Sequence, residues 1–421
     1  MAERRCADEA DGTMLQEGIY VGAGQRPGRH WAMMFLRAQA GVAAADIDVT
    51  LAGLSSVYAG LRSGQIADLP GVNLPASGLT VLVGYGPKAF AVPGTRRPLP
   101  QNLGPQHQFK SPAPAGGGPL LAGSGLSYAA GLARNPATEE VCVQAIAETP
   151  LAANRAIVET VKHLDDHPDP RTGVAPLVLA AAFTGFNRED GRSWIDFHDG
   201  VSNLASGQER QDAVEVKPQG TAEDRWTEGG TYLAFMRLRV DFRSWRRLSA
   251  RQQELLVGRT KLNGCPIVGV DAGEVPAAAP GCPFAGTSSV LAPGNEAFRE
   301  PPANVSAELL VSHVQRANHH IGPIDRDVSQ RIYRQGFEFL EPPQPGRDLA
   351  LGLNFVSFQD TPRRLFFPLT TPGWLGSTNF GGDPAQPLPG MSTLLSVFAA
   401  GVYYCPPVVP GETYPGHSIF A

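Results

Sequence analysis

Between residues 30 and 186, strand-like and helical segments alternate in an order that few folds accommodate. "HWAMMFLRA" reads as a strand, "AAADIDVTLAGLSSVYAGL" as a helix, and "LTVLVGYG" and "EVCVQAIAE" as two further strands. A second helix follows, with Thr149 as N-cap, Pro150 at the first helical position, and Ile157, Val158, Val161 and Leu164 recurring on one face. The strand "APLVLAAAFTGF" closes the set. The order β-α-β-β-α-β is that of a ferredoxin-like unit, in which two helices cover one face of an antiparallel sheet.

The second half starts the same order again. "GTYLAFMRLRVDF" alternates apolar residues with Arg237 and Arg239, which predicts a strand with one wet face. A helix follows from Ser249, where "SARQ" forms a capping box and Leu255 and Leu256 face inward. "QGFEFLE" and "LGLNFVSFQ" read as strands, a helical stretch is expected near 361–376 or 391–398, and "VFAAGVYYCPP" completes the unit. No residue-by-residue repeat relates the halves, so the duplication is one of architecture. With 421 residues, enough for two cores, the expected class is α+β with two ferredoxin-like domains, 1–190 and 191–421.

Glycine (48) and proline (38) cluster at 90–128, 268–303, 341–347 and 382–416, which read as long loops of the kind that carry function. A net charge of −5 without a basic stripe argues against a nucleic-acid partner. No apolar run approaches the ~18 residues of a membrane span, so no membrane is expected. The opening "MAERRCADEADGTM" holds Arg4 and Arg5, but a polar, acidic run follows where an export signal would be apolar; a cytoplasmic location is expected. Cys6, Cys142, Cys265, Cys282 and Cys405 form no C-x-x-C pair and read as reduced thiols of a reducing compartment, with Cys142 on a core strand.

The richest segment is "SHVQRANHHIGPIDRDVSQRIYRQGFEF", residues 312–339. His313 sits among Leu309, Leu310, Val311 and Val314, where a shielded neutral imidazole is either a satisfied core residue or a good metal donor. The adjacent His319 and His320 would point about 100° apart on a helix and read as loop residues. Arg334 falls where a helix "VSQRIYR" is expected to give way to "QGFEF"; it is a surface cation or a group able to polarise an oxygen, and Arg331 is its alternative. Asp199, before Gly200, is either a turn former or, flanked by Trp194, Ile195 and Phe197, a partly dry carboxyl prepared for proton transfer. "HLDDHPDP" reads as a solvated helix end, "GYGPK" lacks the continuation of a phosphate loop, and no G-x-S-x-G or H-E-x-x-H occurs.

Four of these stretches together resemble the dye-decolorizing (DyP-type) haem peroxidases. "DFHDG" is similar to the family's G-x-x-D-G motif, and the run from "GTYLAFMRLRVDF" to "KLNG" to its second-domain entry. "SHVQRAN" resembles its proximal-histidine segment, and "RQGFEF" with "GLNFVSFQ" its distal-arginine region. "LTVLVGYGPKAF" adds a match in the first domain, so the likeness runs from about residue 30 to 405. The resemblance implies two ferredoxin-like domains, with haem b in the C-terminal one. It implies His313 as the iron ligand, Asp199 as distal acid-base residue, Arg334 as distal arginine, Leu353 and Phe355 as the apolar wall above the haem, and Arg316 as a partner of a haem propionate. The chain departs from the motif at its first glycine, which is Asp196 here, and Gln315 stands where many relatives carry arginine.

The implied activity is reduction of hydrogen peroxide with one-electron oxidation of small aromatic donors such as phenols or dyes. Asp199 would move a proton between the peroxide oxygens and Arg334 would stabilise the developing charge. Trp374, Tyr403 and Tyr404 are candidates for a surface electron relay. The main rival is a haem-binding or haem-iron-handling protein with little turnover. A second rival is a non-haem metal site built from Asp196, His198, Asp199, His319 and His320. The sequence leaves homo-oligomerisation open.

Overall fold

The structure, a computed structural model, describes residues 14–20, 28–104, 127–128, 139–201, 203–204, 207–217, 224–269, 277–278, 312–314, 331–343, 349–365 and 394–421. The first half contains β1 (His30–Ala38), α1 (Ala44–Arg62), β2 (Thr80–Tyr85), the short β3 (Ser127–Tyr128), β4 (Val141–Ala147), α2 (Pro150–Asp166) and β5 (Leu177–Phe186). Its four long strands form an antiparallel sheet in the order β2-β4-β1-β5. Thr149 caps α2, its hydroxyl accepting from Ala152 N at 3.4 Å. The face α2 buries is not the one its branched residues suggest. Ala152, Ala153, Ala156, Thr160 and Leu164 point inward, Ile157 and Val161 flank them, and Val158 is 53% exposed. The alanines allow close approach to α1, where Tyr58 and Thr160 share a hydroxyl bond of 2.8 Å.

The second half contains α3 (Gln208–Val214), β6 (Thr231–Val240), α4 (Phe242–Arg247) and α5 (Ala250–Val257). There follow the three-residue and two-residue pieces β7 (Ile267–Gly269) and β8 (Ala277–Ala278), then β9 (Tyr333–Glu341), β10 (Ala350–Gln359) and β11 (Leu395–Cys405). Ser249 and Gln252 form the expected capping box of α5, which buries Leu256 and half-buries Leu255. The long strands run β9-β10-β6-β11, all antiparallel, with the first strand of the unit inside the sheet as in the first half. The two halves thus share one strand order, and the α+β, two-unit ferredoxin-like class holds. Residues 363–365 are helical; 391–398 as a helix is displaced by β11, which begins at Leu395, and 366–393 lie outside the described residues.

The two sheets meet edge to edge through single register pairs, Phe186 with Glu338 and Tyr85 with Tyr404. Between them lies an aromatic core in which the Trp31 ring stacks on Phe235 (5.9 Å) and Phe337 (5.6 Å), with Phe35 against Tyr403 (5.6 Å). This core corrects the expectation of a wet face on β6. Arg237 is only 4% exposed, its guanidinium 3.6 Å from the Phe339 ring centre and 4.8 Å from that of Phe183, bonded to Asn354 Oδ1 at 2.6 Å and paired with Glu341. An arginine can occupy an interior strand only when ring faces and acceptors replace water in this way.

Two further expectations change. Tyr403 and Tyr404 are fully buried, not at the surface, because β11 is an inner partner of both sheets; Trp374 lies outside the described residues. Cys142 and Cys405 are buried free thiols, but Cys265 is disulfide-bonded, so the reading of five reduced thiols fails, and with it the argument for a reducing compartment. No helix among the described residues is long and apolar enough to cross a membrane.

Candidate functional site

Strand alternation divides β9 between two tasks. Tyr333, Gln335, Phe337 and Phe339 turn to the inter-sheet core, and Arg334, Gly336 and Glu338 occupy the opposite face. On β10 their register partners are Ser357, Phe355 and Leu353, so the two half-buried apolar residues lie beside Gly336 and Glu338 on that same face. Arg334 is a strand residue; residues 331 and 332 belong to no helix, which corrects the helix expected up to this point, and 328–330 lie outside the described residues. The alternative Arg331 is committed elsewhere, bonding Glu209 at 2.8 Å.

The segment with Asp199 is a loop bent by three left-handed residues, Gly191 (φ 69°), Asp196 (φ 68°) and Gly200 (φ 76°). Arg192 fastens it to the turn after α5 by donating to Lys261 O at 2.6 Å and Leu262 O at 3.1 Å, as well as to Asp196 O at 2.7 Å. Phe197 turns into an apolar cluster with Trp245, Leu248 and Leu256, which sends Asp199 the other way. Asp199 Oδ1 accepts the Gly200 N–H at 2.7 Å, while Oδ2 lies 2.7 Å from where a Cβ on Gly336 would stand. The turn-forming reading is met by Oδ1, while Oδ2 stands over Gly336. The expectation of a partly dry carboxyl is not: Asp199 is exposed, since its apolar neighbours pack elsewhere. Asp196 is exposed too, 3.7 Å from Arg188.

His313 follows the buried Ser312 in a short helical turn that docks on the glycine ending α5, Gly258, which has a φ of 87°. A Cβ there would stand 2.5 Å from Ser312 Oγ. Burial, then the positive charges of Arg334 and Arg259, pull the imidazole down from 6.5 to about 3. The ring is neutral at any physiological pH. The His313 side chain is half-buried. Arg259 is 6% exposed, donates to Gly264 O at 2.7 Å, and is itself depressed to about 10 by burial and by Arg334.

Two further residues, Asn203 and Glu338, belong to this face. Asn203 brackets the backbone of Arg334, its Nδ2 donating to Arg334 O at 2.8 Å and its Oδ1 accepting from Arg334 N at 2.9 Å, and so ties the Asp199 loop to β9. Glu338 is 5% exposed, accepts the Trp194 N–H at 3.2 Å, and has its carboxyl raised from 4.5 to about 8 by burial and by the charge of Asp199. Its place four residues after Arg334 in a strand would have found it. Arg316, His319 and His320 lie outside the described residues.

A neutral, reachable imidazole, a guanidinium whose field it feels, a carboxylate over a bare glycine, and two adjoining apolar side chains fit haem, which needs a nitrogen ligand, apolar walls and a polar distal side. The family model for the C-terminal part of Dyp-type peroxidases matches residues 190–410, more than half of the 421, and the chain belongs to that family. A deferrochelatase of Shigella flexneri is 26% identical over 224 residues, 52% of this chain and 47% of that protein. A dye-decolorizing peroxidase of Thermobifida fusca is 23% identical over 230 residues, 54% and 47% respectively. The match spans about half the length of these curated relatives. Among solved structures, ferric DtpA from Streptomyces lividans superposes with a TM-score of 0.68 at 21% identity, covering 97% of this chain and 96% of that one. A DyP-type peroxidase from Cellulomonas bogoriensis gives 0.64 at 19% identity, covering 96% and 97%. These likenesses show a shared fold.

Proposed function

We propose that this chain is a haem b-dependent peroxidase that reduces hydrogen peroxide and oxidises small aromatic donors one electron at a time. Residues 1–190 would form its N-terminal domain and 191–421 the haem-binding one. The observation that carries the reading is the neutral His313 ring within the field of Arg334, on the side of the sheet where Asp199 overhangs Gly336. His313 would hold the iron, Leu353 and Phe355 would pack against the macrocycle, and Arg316 would pair with a propionate. The bound haem would supply the redox centre that takes up the oxidising equivalents of peroxide. Asp199 Oδ1 is engaged by Gly200, which leaves Oδ2 to take a proton from the inner peroxide oxygen and return it to the outer one. The Arg334 guanidinium would stabilise the negative charge that builds on the departing oxygen. Asn203 holds the two groups in one frame by bonding the Arg334 backbone.

Reconstitution with haem, followed by peroxide and a phenolic dye, tests the proposal. His313→Ala should fail to load haem, whereas Arg334→Leu should load it and lose peroxide reactivity; normal turnover in either variant would refute these roles. The name of the Shigella relative supports a second reading, haem-iron handling, and release of iron from haem without dye oxidation would favour it. Of the non-haem rival's members, His319 and His320 lie outside the described residues.

A further inference from the structure

The scheme above leaves one acid of the site face without a task. Glu338 lies on the same face of β9 as Arg334 and Gly336, is 5% exposed, and engages Oε2 with the Trp194 N–H at 3.2 Å. The charges that bear on it are those of Asp199, Arg188 and Asp190. Arg188 and Asp190 belong to the wall of a cleft of about 560 Å³, together with Arg29, His30, Glu148 and Asn187. Phe186 also lines that cleft and is the register partner of Glu338 across the seam between the two sheets. The cleft wall is held in place: Arg188 donates to Ser193 O at 2.8 Å and to Asp190 at 2.6 Å, and stacks 5.1 Å from the Trp194 ring centre. Glu338 therefore adjoins the wall of this cleft through Phe186 and Trp194, and lies two residues along the same strand face from Gly336, which the Asp199 carboxylate overhangs.

We infer that Glu338 is a proton relay from this cleft to Asp199, delivering the protons that leave the site as water. The inference rests on the peroxidase reading. Each turnover converts H2O2 and two donor molecules AH into two H2O and two A radicals, so the protons the donors release outside must re-enter with their electrons. In the relay step the Glu338 O–H bond breaks as an O–H bond forms on the Asp199 carboxylate. Glu338 then takes a proton from water in the cleft. The carboxyl is suited to this because burial and Asp199 keep it protonated at neutral pH, where an ordinary glutamate is ionised.

Glu338→Gln separates a relay from a structural acid, since the amide oxygen still accepts from Trp194 N but the side chain cannot exchange a proton. Infrared spectra of the haem-free chain at pH 7 should show a protonated-carboxyl stretch that Glu338→Gln removes and Asp199→Asn shifts. In the haem-loaded enzyme, Glu338→Gln should lower kcat by about tenfold or more, toward the ~100-fold typical of losing a proton-transfer group, with KM for peroxide within about twofold. The wild type should also lose activity as pH rises through about 8, and the variant should not. A variant with wild-type kcat and pH profile overturns the relay, as does a carboxyl signal unchanged by the substitution. A wild type inactive with peroxide and dye refutes the peroxidase reading and the relay with it; an active wild type beside an unaltered variant refutes the relay alone.

Discussion

A methyl group placed on Gly336 would probe how closely β9 and the Asp199 loop approach. The Cβ of Gly336→Ala would stand 2.7 Å from Asp199 Oδ2 and 3.2 Å from Leu353 Cδ1. Non-bonded heavy atoms settle at about 3.5 Å, so the carboxylate must retreat by somewhat under ~1 Å. Because Asp199 is exposed, it can swing into solvent, and the cost in stability should stay below about 1 kcal/mol. The cost in chemistry is larger. A misplacement of about 1 Å lowers a rate by roughly 100-fold, and losing an acid-base group altogether by about 100- to 10,000-fold. Gly336→Ala should therefore react with peroxide about 10 to 100 times more slowly than wild type and faster than Asp199→Asn, with haem loading retained. Stopped-flow reaction with peroxide, alongside urea unfolding, measures both quantities. A wild-type rate in a stable, haem-loaded Gly336→Ala would show that Asp199 Oδ2 has no part in proton transfer.

Glu338 also makes stability depend on pH. Its carboxyl is raised from 4.5 to about 8 on folding, so the native state holds the extra proton between those values, and stability falls as pH rises across that window. The loss between pH 5 and pH 8 should be about 3 kcal/mol in urea unfolding and absent from Glu338→Gln; parallel curves for the two proteins would refute the assignment. Asp196→Gly should raise stability by about 0.5 to 1 kcal/mol, because φ 68° is strained for a side chain and free for glycine; a lower melting temperature would count against it. Gly258→Ala should weaken haem binding by tenfold or more in a titration, as the new methyl presses on Ser312 beside His313. With Cys265 disulfide-bonded, thiol titration of the unfolded, unreduced chain should count at most three reactive groups (5 − 2), and five after reduction.

Local pattern found most of the long strands and helices, though not α3 or α4, and it misread 391–398 and the residues before Arg334 as helical. Periodicity, the Thr149–Pro150 start and the Ser249 capping box placed strands and helices to within a residue or two, because these signals are local hydrogen-bond and packing demands. The motifs, through their likeness to a family, also marked Asp199, His313 and Arg334 as members of one site. The sequence misjudged what depends on the other side of a contact. Arg237 looked wet and is buried, since Phe183 from the other sheet and Phe339 from its own close over its guanidinium. Asp199 looked dry and is exposed, since Phe197 packs against Trp245 and not against it. Glu338 drew no notice because an isolated glutamate in a strand is ordinarily solvated. Its proton affinity comes from Asp199, 139 positions earlier in the chain, and from a seam between two sheets. Sequence alone determined most of the long elements and which residues the motifs mark. Tertiary structure decided which carboxyl is buried and which is exposed, because desolvation and charge act through space and not along the chain.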